Sequence, residues 1–339
     1  MLAARSDHAE LATLACKHAI DERTVTHLVL PDEVQVQPAA GVEASGPTGR
    51  RGGGAIRPPQ DALDDACALL ATAKRPVIVV GHGARAGIDE VVALAEQVGA
   101  PVLTTFKAKG LIADDHPLGA GVLGRSGTPV ASWLMNESDT LLVFGASFSN
   151  HTGIAPYKPI VQVDVDVSAL GRFHPVDVPL QGDVAVTAQL LADVLSTASS
   201  RDDQRSDVAE RWKIWRTEKV RRLADDRGQG VSSAAVFDSL TRLAPTDSVI
   251  AVDVGKHAYS FGRYFASRGQ AVLMSGYLGS IGFGFPAALG AWAAKPLQLN
   301  PLPTRYLQSP SRSHHPTHTT TDHYLSDTPL VTCVRNLSR

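Results

Sequence analysis

The sequence predicts an α/β protein whose largest domain, residues 61–195, is a Rossmann-like parallel sheet. Short apolar runs alternate there with helical patterns, which is typical of βαβ units. The apolar runs with the length of buried strands are Pro76–Val80, Pro101–Thr105, Thr140–Phe144 and Ile160–Asp164. Helical periodicity covers residues 62–73, 88–98, 130–137 and 184–195.

Ligands of such sheets bind at the carboxyl ends of the strands. The loops that follow the predicted strands are rich in Gly, Ser, Thr and Asp, and they span residues 81–84, 105–110, 145–152 and 164–171. These four loops are therefore candidate binding loops.

Composition excludes several classes of protein. The chain has 339 residues, of which 44% are hydrophobic and 19% charged, and its formal charge is -2. Two or three globular domains are expected from that length, and the charge favours neither nucleic acid nor a membrane surface as a partner. Cys16, Cys67 and Cys333 form no metal-binding pattern. We expect a cytoplasmic protein, since neither a signal peptide nor an apolar run of about 18 residues is found.

Residues 1–36 predict a helix followed by a short apolar strand, His27–Leu30, which ends at Pro31. One helix and one strand cannot bury a core by themselves, so this segment is interpreted as the end of a domain. Residues 37–60 are rich in Pro, Gly and Ala and are interpreted as a linker.

Residues 196–235 begin with a polar run and continue with a helix at about 208–224, which we interpret as a second linker. Ser232 or Ser233 is the expected cap of the next helix, 234–243. Residues 236–294 then predict a second α/β domain. Its expected elements are the strands SVIAVDVG and AVLMSG, with a helix over 260–268 between them.

The stretch Val272–Trp292 carries the strongest glycine pattern of the chain. Gly276, Gly279, Gly282 and Gly284 follow a strand and precede an alanine-rich helix. Glycines at this density let backbone approach a ligand, and a helix start offers free N–H groups to an anion. A tight strand-to-helix turn, with small residues needed only for packing, is the alternative.

Residues 295–339 differ abruptly in composition from the rest. They are rich in Pro, Ser, Thr and His, without a helix or strand period, and we expect them to be disordered. The break at Lys295 motivates the hypothesis that this tail was translated in a shifted reading frame. Its histidines follow no metal-ligand spacing.

The wording of several segments resembles one enzyme family. GYLGSIGFGFPAALGA resembles the start of the diphosphate-binding domain in thiamine diphosphate enzymes of the acetohydroxyacid synthase, pyruvate oxidase and benzoylformate decarboxylase group. RPVIVVGHGA, APVLTTFKAKGLIADDHPLGAGVLG, DTLLVFGASF and VQVDVDVSALGRFHPVDVPLQGD resemble its central domain. THLVLPDEVQ is similar to the end of its pyrimidine-binding domain, which implies a fragment that covers only part of the family's fold.

The resemblance assigns residues to the cofactor. Ile281 matches the apolar residue that supports the bent cofactor, Ser280 lies in the same turn, and the Gly279 carbonyl matches the acceptor for the aminopyrimidine. A second set matches the segment at the diphosphate: Val254, Gly255, Lys256 and His257. The family's Mg²⁺ ligands are a GDG aspartate and a later asparagine. No GDG occurs in this chain, so we assign no metal ligand, and no residue takes the role of the activating glutamate.

Some members of the family hold FAD or an adenine nucleotide in the central domain. The positions that match such a site are Gly81, Gly83, Thr105, Gly145, Ser147, Asp164 and Asp183. Flavin binders often carry an arginine just after the block that reads GASFSNHTG here, and this chain has none there. FAD is therefore possible, but we favour an empty central domain.

The resemblance implies an enzyme that acts on a 2-keto acid of the pyruvate type. It leaves carboligase, oxidase and decarboxylase reactions open, and it implies a homodimer or homotetramer in the intact enzyme. We expect this fragment by itself to be inactive. The alternative is a non-catalytic protein that retains only a nucleotide-binding Rossmann-like domain.

Overall fold

The computed structural model describes residues 7–22, 24–38, 46, 48–50, 52, 54–149, 151–195, 201–225, 228, 230–276, 278–294 and 331–334. The chain divides into two compact units, Met1–Ala55 and Ile56–Arg339. The division falls inside the segment that the sequence predicts as the first linker.

The first unit contains the helices α1 (His8–Asp21) and α2 (Asp32–Gln35). Asp7 caps α1, since its carboxylate accepts a hydrogen bond from the Glu10 N–H. No described residue of α1 is buried. The predicted strand at His27–Leu30 is wrong, because these residues have no regular structure. A strand needs a partner for its backbone groups, and the described part of this unit contains no other strand.

The second unit contains a six-stranded sheet with the order β3-β2-β1-β4-β5-β6, in which all paired neighbours are parallel. The strands are β1 (Pro76–Val80), β2 (Val102–Thr104), β3 (Gly119–Val122), β4 (Thr140–Phe144), β5 (Ile160–Asp164) and β6 (Val178–Gln181). This is the doubly wound α/β fold, so the predicted fold class is confirmed. The strand order reverses between β1 and β4, which is where such sheets open a crevice for ligands.

Helices cover both faces of this sheet and create two cores. They are α3 (Gln60–Thr72), α4 (Ile88–Val98), α5 (Pro129–Glu137), α6 (Val184–Leu195) and α7 (Arg205–Leu223). Side chains alternate along β1, so Ile78 points into one core with Leu94, while Val77 points into the other with Leu134. The run PVIVV is therefore buried on both faces, as expected of a central parallel strand.

Sequence reasoning missed the edge strand β3, and it expected a strand after the RFHP segment, where the other edge strand β6 lies, without giving its bounds. The first reads GAGV and the second VPLQ. Glycine and proline both weaken a strand pattern, and proline is tolerated mainly at sheet edges, where a missing N–H costs least. The edge position explains why these strands form without a strong sequence signal.

The helix α7 crosses the second core, in which Trp212 and Trp215 are buried. The Trp212 indole N–H donates to the Gly119 carbonyl at 2.7 Å, which fixes α7 against the edge strand β3. The next helix, α8 (Ser233–Leu243), starts at the predicted cap, because the Ser232 hydroxyl accepts from the Ala235 N–H.

A second, three-stranded sheet has the order β8-β7-β9. Its strands β7 (Val249–Val252) and β8 (Ala271–Met274) are parallel and are joined through α9 (Lys256–Tyr264). The prediction of a helix at 260–268 was wrong by four residues at each end. Gly255 has φ 151°, so the chain leaves the strand in a conformation suited to glycine and the helix begins at once.

The helix α10 (Gly284–Ala294) packs against β7 and β9 (Val331–Val334). β9 pairs antiparallel with β7, with Val249 opposite Val334. The expectation of a tail without regular structure is wrong for these four residues, whose β-branched composition suits a strand. The remainder of the tail, 295–330 and 335–339, lies outside the described residues. Among the described helices, none is long and apolar enough to cross a membrane.

A buried ion pair lies within the loop after β2, where that loop contacts the segment leading into β8. The Lys109 ammonium lies 3.0 Å from the Asp114 carboxylate, and the two side chains are 2% and 8% exposed. Asp114 also accepts from the Ser267 N–H at 2.8 Å, and its own N–H donates to the Ser267 carbonyl. The Lys109 ammonium further lies 5.8 Å from the centre of the Phe265 ring. The loop after β2 is thereby fixed against the segment between α9 and β8.

Candidate cofactor site

The first half of the candidate site is the carboxyl end of β7. Gly255 caps α9, and a β-carbon there would lie 2.9 Å from the imidazole of His257. The His257 ring therefore folds over the glycine. Its Nε2 atom is buried and has no hydrogen-bond partner in the described part of the chain. A buried polar atom without a partner at a helix start fits an acceptor oxygen or donor supplied from outside the chain.

Lys256, the first residue of α9, is exposed. Its ammonium is therefore free to reach an anion at the same helix end, where the helix dipole also favours negative charge. Val254, two residues before Lys256, is half-buried. The three residue types present here, an imidazole, an ammonium and a glycine-lined backbone, match what a diphosphate needs.

The second half is the turn between β8 and α10. Gly279 and Gly282 have φ 63° and 96°, and no described atom lies within 4 Å of a β-carbon placed on Gly282. Ser280 is exposed, and Ile281 is 84% exposed. The turn presents an apolar side chain on an open, glycine-rich backbone.

The structure brings these two halves together. A β-carbon on Gly279 would lie 4.0 Å from Cγ1 of Val254, which is van der Waals contact. The predicted diphosphate residues and the predicted turn residues are therefore neighbours, although about 25 residues of sequence separate them. The alternative reading, in which the glycines serve packing alone, does not explain the open space around Gly282.

Sequence reasoning missed Asp253, which lies between the two halves. The residue is 4% exposed, and its carboxylate accepts from the Val254 N–H at 2.6 Å and from the Gly282 N–H at 2.9 Å. Burial raises the pKa of this carboxyl, but the hydrogen bonds from the backbone of Val254, Gly282, Gly284 and Phe283 outweigh that effect, and its pKa is lowered. The signal that could have found it is an aspartate directly after an apolar strand and before a glycine.

The central-domain positions lie at the carboxyl edge of the large sheet, but their glycines pack against each other. A β-carbon on Gly81 would lie 2.6 Å from the Ala146 β-carbon, and one on Gly83 would lie 2.9 Å from the Gly145 α-carbon. The Gly83 N–H donates to the Gly145 carbonyl, and the Gly81 N–H donates to the Phe144 carbonyl. The loops at the switch point therefore use these amide groups for each other.

The other four predicted central-domain positions surround this contact or lie further along the edge. The Thr105 N–H donates to the Val80 carbonyl at 2.9 Å, and Ser147 is half-buried beyond β4. Burial raises the pKa of Asp164, at the end of β5, and its carboxylate accepts from the Asp166 N–H. Asp183 anchors the entering chain, because its N–H donates to the Ile56 carbonyl at 2.8 Å.

The described part of these loops shows no metal centre. The described residues contain no group of three or more His, Cys, Asp or Glu side chains that could hold a metal ion. The histidine of the DDHP turn shows a structural role instead, because His116 Nδ1 accepts from the Leu118 N–H at 3.1 Å. Its Nε2 lies 3.1 Å from the Glu96 carboxylate.

Comparison with known proteins shows which family this chain resembles. Residues 63–191 match the family described as "Thiamine pyrophosphate enzyme, central domain". The chain is 33% identical over 256 residues to the probable acetolactate synthase large subunit of Methanococcus aeolicus, covering 69% of this chain and 42% of that protein. It is 30% identical over 271 residues to the acetolactate synthase isozyme 1 large subunit of Escherichia coli K12, covering 78% of this chain and 45% of that protein.

A third relative is the putative thiamine pyrophosphate-containing protein YdaP of Bacillus subtilis, 28% identical over 246 residues. That match covers 72% of this chain and 42% of the relative. The chain thus spans less than half the length of these curated relatives.

Proposed function

The chain belongs to the thiamine pyrophosphate enzyme family through its central domain, and from that premise we propose that it serves 2-keto acid chemistry of the acetolactate synthase type. Thiamine diphosphate is the cofactor of this proposal, and a pyruvate-type 2-keto acid is the substrate. The observation that carries it is the meeting of two segments, the end of β7 and the glycine turn before α10. Beside them lies a buried imidazole nitrogen that has no partner among the described residues.

In this proposal the chain's own residues bind and orient the cofactor. Lys256 and the start of α9 neutralise the diphosphate, and His257 Nε2 donates to or accepts from it. The backbone at Gly279 and the hydroxyl of Ser280 meet the pyrimidine side, and the stiff side chain of Ile281 supports the bent cofactor. When bound, thiamine diphosphate supplies an electron sink for decarboxylation of the keto acid.

The test is titration of the purified chain with thiamine diphosphate, followed by ³¹P NMR. We expect weak, saturable binding that shifts both phosphorus signals, and a loss of that shift in Lys256→Ala and His257→Ala. Arg242→Ala, a substitution of an exposed residue on α8, is the matched control. Phosphorus signals that stay unchanged up to millimolar cofactor would refute the proposal.

We further propose that this chain by itself is a poor catalyst. Mg²⁺ bridges phosphates through oxygen ligands, and neither a GDG motif nor a described carboxylate cluster supplies them. Calorimetry should therefore show no tight binding of thiamine diphosphate with Mg²⁺, and pyruvate should not be consumed. Tight magnesium-dependent binding, or clear pyruvate consumption with added cofactor, would contradict this.

For the central domain we propose that no flavin is bound. The support is that the N–H groups of Gly81 and Gly83, which a dinucleotide phosphate would need, donate to neighbouring carbonyls. The purified protein is expected to lack a visible flavin absorbance band. A flavin band that persists through gel filtration would overturn this proposal and would show that the protein binds flavin.

Two further proposals concern the intact protein. We propose a homodimer or homotetramer in the cytoplasm, since the resemblance implies an active site shared between chains. We also propose that residues 295–339 arise from a shifted reading frame, and sequencing of the coding DNA across codon 295 tests this. Another frame that encodes GDG and a later asparagine is expected; a confirmed frame without that motif would refute it.

A further inference from the structure

The N-termini of α9 and α10 both lie at the candidate site, and they differ in which groups accept hydrogen bonds from their free N–H groups. The helix α9 starts at Gly255 without a side-chain cap, and α10 starts at Gly284 without an acidic residue in its own first turn. The N–H groups at the start of α10 are instead taken by a carboxylate from the other half of the site, that of Asp253. One helix end is therefore already neutralised by the protein, and the other is open to an anion.

Asp253 links the two halves directly. Its Oδ1 accepts from the Val254 N–H at 2.6 Å, at the end of β7, and from the Gly282 N–H at 2.9 Å, in the glycine turn. Oδ2 lies 3.1 Å from the same Gly282 nitrogen. Hydrogen bonds to a charged group are among the stronger ones in proteins, and this carboxylate is 4% exposed, so water competes with them little.

The glycine turn has few other restraints. Gly279 and Gly282 both have positive φ, and Ile281 is 84% exposed. A turn of this kind samples many conformations unless a neighbouring group holds it. Among the described residues, the carboxylate of Asp253 is the side-chain group that accepts hydrogen bonds from the backbone of this turn.

We infer that Asp253 is a positioning residue, which holds the 279–284 turn against the end of β7 so that Ile281 projects beside the open end of α9. This inference rests on the proposed function, because it assigns the role of the turn to the cofactor. It also assigns the diphosphate to α9 alone, since the end of α10 is occupied by the protein's own carboxylate.

Hydrogen–deuterium exchange of the full chain tests the restraint. In Asp253→Ala, amides of residues 278–284 should exchange about tenfold faster than in the wild type, because hydrogen bonds to a charged acceptor are lost. Asp253→Asn keeps the shape and one acceptor oxygen and should show a smaller increase. Asp247→Ala, at the exposed opposite end of β7, is the control and should leave these amides unchanged.

Titration with thiamine diphosphate, followed by ³¹P NMR well below the unfolding temperature of each variant, tests the positioning role. Affinity should fall about tenfold in Asp253→Ala and less in Asp253→Asn. A residue that only stabilises the fold would lower the unfolding temperature and leave the affinity of the folded protein unchanged, and that result would overturn the inference. So would unchanged exchange at 278–284.

The two proposals fail in distinguishable ways. A wild-type chain whose phosphorus signals do not respond overturns the proposed function, and with it the cofactor role of Asp253. The exchange measurement still decides in that case whether the carboxylate restrains the turn. A wild-type chain that binds, with variants that bind equally well, overturns the inference alone.

Discussion

The two glycine-rich regions of this molecule use the same residue for opposite purposes. At the switch point of the large sheet, Gly81 and Gly145 let two loops touch, and their amides donate within the protein. In the turn before α10, Gly282 has open space around it and φ 96°. The first region brings two loops into contact, and the second leaves space beside its backbone. Glycine density in a sequence therefore predicts a close approach, but not whether protein or ligand makes it.

The largest effect is expected outside both regions, at the buried ion pair of the loop after β2, and it sets the scale for them. Lys109→Met removes the partner of the buried Asp114 carboxylate and should destabilise the protein by about 3–5 kcal/mol. Urea denaturation measures this. Arg221→Met, which breaks a pair that is 80% exposed on the arginine side, should cost less than about 1 kcal/mol. Equal losses in the two variants would mean that burial does not make the Lys109–Asp114 pair more important than an exposed pair.

Gly81→Ala should produce the next largest decrease in the free energy of unfolding, about 3 kcal/mol. The reason is that the added β-carbon would lie 2.6 Å from the β-carbon of Ala146. Gly290→Ala is the control, since no described atom lies within 4 Å of a β-carbon there and alanine favours a helix interior. It should stabilise slightly. Denaturation curves that superimpose for wild type and Gly81→Ala would contradict the close contact between the two loops.

Low pH should destabilise the turn before α10, because protonation of Asp253 weakens its hydrogen bonds to that turn. Its pKa in the folded state is lowered, so it stabilises the fold above its ordinary pKa of about 3.8, and this contribution is lost as the pH falls through the lowered value. We expect Asp253→Asn to cost about 2 kcal/mol at pH 7 and to reduce the loss of stability below about pH 4. A variant with the acid dependence of the wild type would contradict the hydrogen bonds to the turn.

The smallest effect is expected for Gly282→Ala. No described atom obstructs the methyl group, so only the positive φ opposes it, at about 1–2 kcal/mol. Thermal unfolding measures the loss, which should be below that of Gly81→Ala. A larger loss at Gly282 than at Gly81 would reverse the comparison between the two regions.

Much of the fold was predictable because central strands and amphipathic helices carry strong patterns. The bounds of β1, β4, β5, α4 and α6 agree with the prediction. Each of these strands is buried along almost its whole length, so nearly every position must be apolar. The edge strand β6 is exposed at alternate residues and includes Pro179, so its pattern is weak.

The candidate site was predictable only in part. The resemblance pointed to Val254 and Gly279, which the structure places next to each other. It could not point to the role of Asp253, whose partner Gly282 lies 29 positions further along the chain. The sequence records which residue types are present, whereas a hydrogen bond between distant loops depends on how two strands and two helices pack.

The pairing of β9 with β7 limits which further strands could join the second sheet. β7 is flanked by β8 on one side and by β9 on the other, so neither of its edges is vacant. A strand that followed α10 could pair with β7 only by displacing residues 331–334. Residues 331–334 therefore occupy the position beside β7 that such a strand would need.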